Sequence, residues 1–151
     1  MRYVPIVFAM LILSALPLYA GDGMITVKSA FPVKETADRL EAAIAEKGMT
    51  VFNRIDHARG AENEGLSLLP TELVIFGNPK VGAPLMQCDR SVGIDLPMKA
   101  LIWEDEAGNV WYTYNSPEFL ADRHNLSDCL GVLEKVQKAL ANFARAAAAA
   151  K

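Results

Sequence analysis

The chain has 151 residues, 52% of them hydrophobic, and its 15 basic against 18 acidic side chains give a formal net charge of −3. That length suits one ordinary domain with one core. With no basic cluster and an acidic balance, nucleic acid is not an expected partner.

In chain order, Arg2 precedes the uncharged run Tyr3 to Ala20, which ends Leu18-Tyr19-Ala20 before Gly21-Asp22. A positive start, a short apolar middle and small exit residues predict a secretory signal peptide over residues 1–20, cleaved near Ala20, and hence a periplasmic or secreted protein. Pro5 and Pro17 trim the apolar run below the roughly 20 residues that span a bilayer, so no membrane attachment is expected after cleavage. Loss of Arg2 would leave 14 basic residues against 18 acidic ones.

Ile25 to Ser29 alternates like a half-buried strand, and Lys34 to Lys47 places Ala37, Leu40 and Ile44 on one helical face before the stop at Gly48. From Thr50 a second strand would put Val51, Asn53, Ile55 and His57 on one face. Ala58 to Ser67 reads as a loop or short helix. Glu72 to Phe76 reads as a central strand buried on both faces, and Lys80 to Gln87 as a short helix. Lys99 to Glu104 and Val110 to Tyr114 form a hairpin. Pro117 to Arg123 is a helical turn after Asn115/Ser116. The last helix is expected to be capped by Ser127 or Asp128, with Cys129, Val132, Leu133, Val136, Leu140 and Phe143 facing inward. The domain is placed at residues 24–145, and the alanine-rich tail 146–151 is expected to fray.

This order predicts an α+β fold, a mainly antiparallel sheet with helices on one face. Cys88 and Cys129 form a disulfide candidate in an exported chain; two separate buried thiols are the alternative. No CxxC spacing marks either as a nucleophile.

The block from Thr36 to His124 contains Gly48-Met49-Thr50-Val51-Phe52, Ile55-Asp56-His57-Ala58, Phe76-Gly77-Asn78-Pro79-Lys80, Leu85-Met86-Gln87, Ile94-Asp95-Leu96-Pro97, and Tyr114-Asn115 with Pro117, Leu120-Ala121 and Arg123-His124. In that order these motifs resemble the family known as domain of unknown function 302. The resemblance implies a TATA-binding-protein-like architecture of β-α-β-β-β-β-α type and a homodimer. It implies no reaction, substrate or cofactor.

Three kinds of chemistry remain. His57, Asn78, Lys80, Asp95, Lys99 and Asn115 fall at strand ends or in adjoining turns, where they would converge on a polar cleft for a small anionic or carbonyl-bearing ligand. The competing reading makes Asn78-Pro79 and Asn115-Ser116-Pro117 simple turn formers, and gives Asp95 a loop-closing role. A hydrolase would use Asp56 and His57 as orienter and base, with Ser67 or Ser91 available, although no GxSxG elbow is present. A copper site would draw on His57 and His124 with Met86 and Met98, although the spacing matches no compact motif and no cofactor is predicted. Trp103, Trp111, Tyr112 and Tyr114 read as cross-strand packing, or as a dimer surface if one hairpin face is open. A structural dimer without ligand or turnover is the third class of function.

Overall fold

The computed structural model describes residues 23–150 and the strand Leu18–Tyr19. Apart from those two residues, the expected signal peptide and its cleavage point lie outside the described residues. The elements are β1 (Leu18–Tyr19), β2 (Met24–Ser29), α1 (Val33–Glu46), β3 (Thr50–Asp56), α2 (His57–Asn63), β4 (Thr71–Gly77), α3 (Pro79–Cys88), β5 (Met98–Glu104), β6 (Val110–Asn115), α4 (Pro117–His124) and α5 (Leu130–Ala148), with 3-10 turns at Arg90–Ile94 and Ser127–Cys129.

The strands form one sheet in the order β1-β2-β6-β5-β4-β3, every neighbouring pair antiparallel. The fold is α+β, as the sequence predicts. After β2 the chain crosses through α1 to the far edge at β3, then returns strand by strand until β6 pairs with β2. Helices α1 and α5 pack on each other and over one sheet face. That face supplies Ile25, Val74, Phe76, Met98, Ala100, Ile102 and Tyr112 to the core, and α1 answers with Ala37, Leu40 and Ile44 at helical spacing. Each fully buried leucine or isoleucine there is worth about 1.5–3 kcal/mol against exposure. The Phe76 and Phe143 rings meet edge to face at 5.7 Å and fasten β4 to α5. Tyr112 is fully buried, and its hydroxyl has no hydrogen-bond partner among the described residues. Burial pushes that phenol far above its ordinary pKa.

Five details differ from the sequence reading. Strand β4 is buried on one face only: Glu72, Val74 and Phe76 are buried on the core face under α1 while Thr71, Leu73 and Ile75 on the opposite face stay half-exposed. In β3 the register shifts between Val51 and Asn53, so strict alternation fails, and Phe52 projects outward at 51% exposure. His57 belongs to α2 instead of extending the strand. Neither Ser127 nor Asp128 caps α5, which instead continues from the 3-10 turn without a side-chain cap.

The fifth concerns the tail, which packs instead of fraying. Ala144, Ala147 and Ala148 are buried, and the Ala30 N–H donates to Ala148 O at 2.9 Å. Arg39 donates from Nε to Ala147 O and from Nη2 to Ala146 O and Ala149 O, while its guanidinium stacks over Phe31 at 4.0 Å. A cation from a distant helix thus supplies partners for carbonyls that a helix C-terminus leaves unsatisfied.

Candidate functional site

The antiparallel register gives the sheet two unlike ends. At one end lie the C-terminus of β4, the N-terminus of β5 and the helices α3 and α5. There an almost wholly apolar cavity of about 310 Å³ opens to the surface. Its walls come from Phe52 on the bulge, Phe76 on β4, Val81, Leu85 and Met86 on α3, and Leu140 and Phe143 on α5. Asn78 and Lys135 are the polar side chains in the lining; the rest is apolar or glycine.

Local sequence explains the cavity. Asn78 caps α3, its Oδ1 accepting from the Lys80 N–H at 2.9 Å, and Pro79 occupies the first turn, where its missing N–H costs nothing. Gly82 and Gly93 contribute no side chain where α3 and the 3-10 turn border the space; a Cβ at Gly82 would come 3.7 Å from Leu96 Cδ1, and one at Gly93 would come 3.5 Å from Met86 Sδ. Three of the six methionines, Met49, Met86 and Met98, line it. Cys88, the last residue of α3, lies beside Cys129, just before α5, with Cα atoms 6.5 Å apart. The two walls therefore meet at this cysteine pair.

Asp95 and His124 meet next to the cavity. Buried His124 bonds Asp95 Oδ2 through Nε2 at 2.5 Å and Ser91 Oγ through Nδ1 at 2.8 Å, and Arg123 Nη1 reaches Asp95 Oδ1 at 3.5 Å. The composition is that of a hydrolytic relay, but the surroundings oppose one. Asp89 accepts from the Ser91 N–H at 2.7 Å, and the Ser91 hydroxyl and N–H together hold the Asp89 carboxyl below its ordinary pKa. An anion beside the hydroxyl disfavours an oxyanion there. The network ties the segment after α3 to the end of α4.

The sequence-predicted residues divide accordingly. Asn78 borders the cavity and Lys80 stands exposed on the first turn of α3. Lys99 turns its ammonium back to Asp95 O and Pro97 O, both at 2.9 Å, closing the loop around the cis Leu96–Pro97 peptide. Asn115 ends β6 opposite Met24. His57 lies at the other end of the sheet, since Asp56 pairs with Glu72 while Gly77 pairs with Thr50. Seven residues of strand, about 20 Å, separate it from Asn78. The six residues therefore do not form one polar cleft, and the enclosed space at the Asn78 end is apolar.

Asp56 and His57 also fail to form the expected orienter-base pair. Asp56 caps α2, accepting from the Arg59 N–H at 2.8 Å, and His57 is exposed in the first turn. The copper set is split as well: His124 has both nitrogens engaged at one end, His57 sits at the other, and Met86 and Met98 face a cavity with no histidine in its lining. Among the described residues no group of three or more His, Cys, Asp or Glu side chains is placed to hold a metal ion.

The second end is polar. A groove of about 770 Å³ runs along Lys34, Asp56, Arg59, Glu62, Glu72 and Glu104. Beside it Arg54 bonds Glu72 through Nε, Asp38 at 2.6 Å and Glu41 at 3.3 Å. Burial alone would lower the Arg54 pKa, but Glu72 and Asp38 outweigh it and hold the guanidinium above its ordinary value. Lys34 and Arg54 together keep the Asp38 carboxyl low. These charges satisfy one another.

A family model described as "Domain of unknown function DUF302" matches residues 25–143. The chain belongs to that family. A solved structure titled as an uncharacterized conserved DUF302 protein from Bacillus stearothermophilus superposes with a TM-score of 0.75 at 21% identity, covering 83% of this chain and 98% of that one. At that identity the likeness establishes the shared fold. Over 105 residues, 70% of this chain, the sequence is 53% identical to proteins named fluoride-specific ion channel FluC 1 from Brucella suis and from Brucella abortus. This DUF302 chain spans about two fifths of the length of those relatives, 41% and 39% respectively. No helix among its described residues is long and apolar enough to cross a membrane.

Proposed function

We propose that this chain is an exported binding module whose site is the apolar cavity between α3, α5 and the β4–β5 end of the sheet. The observation that carries the reading is the cavity's lining: near 310 Å³ it is about twice the roughly 150 Å³ of an apolar cavity that takes benzene, and its lip carries exposed Phe52 and Met86. A folded chain gains nothing from leaving such groups in water. A bonded Cys88–Cys129 pair, which an oxidising compartment favours, would hold the two walls together. In the Brucella relatives the corresponding module would be joined to a channel-forming part; fluoride conduction is not assigned to this chain. Organic extraction of the full chain purified from its exporting host, followed by mass spectrometry, tests the reading. One apolar compound enriched with the wild type and lost on Gly82→Leu is expected; no enrichment, with no saturable binding of decan-1-ol, refutes it.

The outer sheet face supports a second, compatible reading as a homodimer. Leu73, Ile75, Leu101, Trp103 and Trp111 share the half-exposed side opposite the core, where a water-facing antiparallel sheet ordinarily alternates to polar residues. Trp103 Nε1 donates to Thr113 Oγ1 at 3.1 Å, and Trp103 and Trp111 rings lie 6.5 Å apart, so the aromatic part of the face is already ordered for a partner. Sedimentation equilibrium should give a dimer for the wild type and a monomer for Leu101→Lys. A monomeric wild type would remove this reading without touching the cavity.

A further inference from the structure

Resting on the cavity reading above, we infer that the ligand is a single-headed amphipathic acid, its apolar body inside the cavity and its carboxylate at the mouth beside Lys135. The argument is one of charge. The chain carries a net charge of −3, yet among the described residues no carboxylate lines the cavity and the one charged lining group is the Lys135 ammonium. Lys135 is exposed and, like Lys80 and Lys138, forms no ion pair among the described residues; what sets it apart is its place in the cavity lining. Its position follows from the helix: Val136, Leu140 and Phe143 are buried, and Lys135 and Ala139, one turn apart, border the same space at the solvent side.

Lys138, one turn on, is also exposed, but Glu134 stands four residues before it on the helix, so Lys135 is the charge the cavity itself presents. At the α3 side of the cavity stands Asn78, whose Oδ1 is committed to the Lys80 N–H and whose Nδ2 remains a donor. A neutral apolar guest would use neither Lys135 nor Nδ2, and a cationic head would meet an ammonium in a lining that holds no carboxylate among the described residues. A lysine at the water boundary suits an anion as a point charge, with the alkyl stem of the lysine covering the guest.

Calorimetric titration of the full chain with decanoic acid, decan-1-ol and decylamine, repeated on Lys135→Gln and Lys135→Arg, tests the inference. The acid should bind about fivefold tighter than the alcohol, the magnitude of a solvent-edge ion pair. That advantage should vanish in Lys135→Gln, return in Lys135→Arg, and shrink with added salt. Acid and alcohol binding equally, or amine binding tighter than acid, would overturn the acidic head while leaving the apolar cavity in place. No binding of acid or alcohol would overturn the cavity reading together with it. Circular dichroism of each variant separates a binding defect from a folding defect.

Discussion

The two ends of the sheet use the same strands for opposite purposes. At the Arg54 end, opposite charges are brought together: Arg54 serves Asp38, Glu41 and Glu72, and Asp56 caps α2. At the Asn78 end, helices α3 and α5 stand apart from the strand ends and leave apolar walls facing open space. The larger groove is at the polar end, yet size is a poor guide, because its Lys34, Glu72 and Asp56 are already engaged with Asp38, Arg54 and the Arg59 N–H. The smaller cavity has surfaces without partners. Burial of such walls against a guest is the favourable term the folded chain still lacks.

The comparison makes predictions of graded size. Cys88→Ala, if the pair is bonded, opens a loop with a sequence separation of 41 and should lower stability by about 4 kcal/mol on the chain-entropy model. Because the pair joins the cavity walls, decan-1-ol binding should weaken as well, which denaturant titration and calorimetry would read together. Arg54→Ala leaves Glu72 mostly buried without its cation, a loss of about 3 kcal/mol. Here the melting point should fall and ligand affinity should not, so a matching loss of affinity would erase the distinction between the ends. Tyr112→Phe removes a buried hydroxyl without a partner and should be neutral or stabilising by up to about 1 kcal/mol in urea unfolding.

The smallest effect lies at the β5–β6 turn. Asp105 accepts from the Trp111 indole at 2.7 Å and from the Asn109 and Ala107 N–H groups, which hold its carboxyl down to about 2. Between its ordinary value near 4 and 2, the unfolded chain binds the proton that the folded chain refuses. Stability should therefore decline as pH falls through that window, and Asp105→Asn should flatten the decline when thermal midpoints are compared across it.

Most of the fold was legible because local pattern and topology agree. The 3.6-residue spacing of Ala37, Leu40 and Ile44, the turn after Glu104 and the Gly48 stop, whose φ is 65°, each specify one structure. The misreadings are tertiary. Nothing near Ala146–Ala150 announces that Arg39, more than a hundred residues earlier, will hold its carbonyls. Strand ends were found, but which end each belongs to depends on antiparallel pairing, and that put His57 about 20 Å from Asn78. The cavity residues come from four separate segments and read individually as core. The available hints were Gly82 and Gly93 among apolar neighbours and the three methionines, a flexible lining suited to guests of varied shape.

The most direct test of the central claim is heteronuclear NMR of the labelled full chain during titration with decan-1-ol. Saturable shifts at Met49, Phe52, Val81, Met86 and Leu140, with Arg59 and the Trp103 and Trp111 indoles unmoved, are predicted. Shifts centred on the Asp56 to Leu68 groove, or no saturable shift, would contradict the assignment of the apolar end as the binding site.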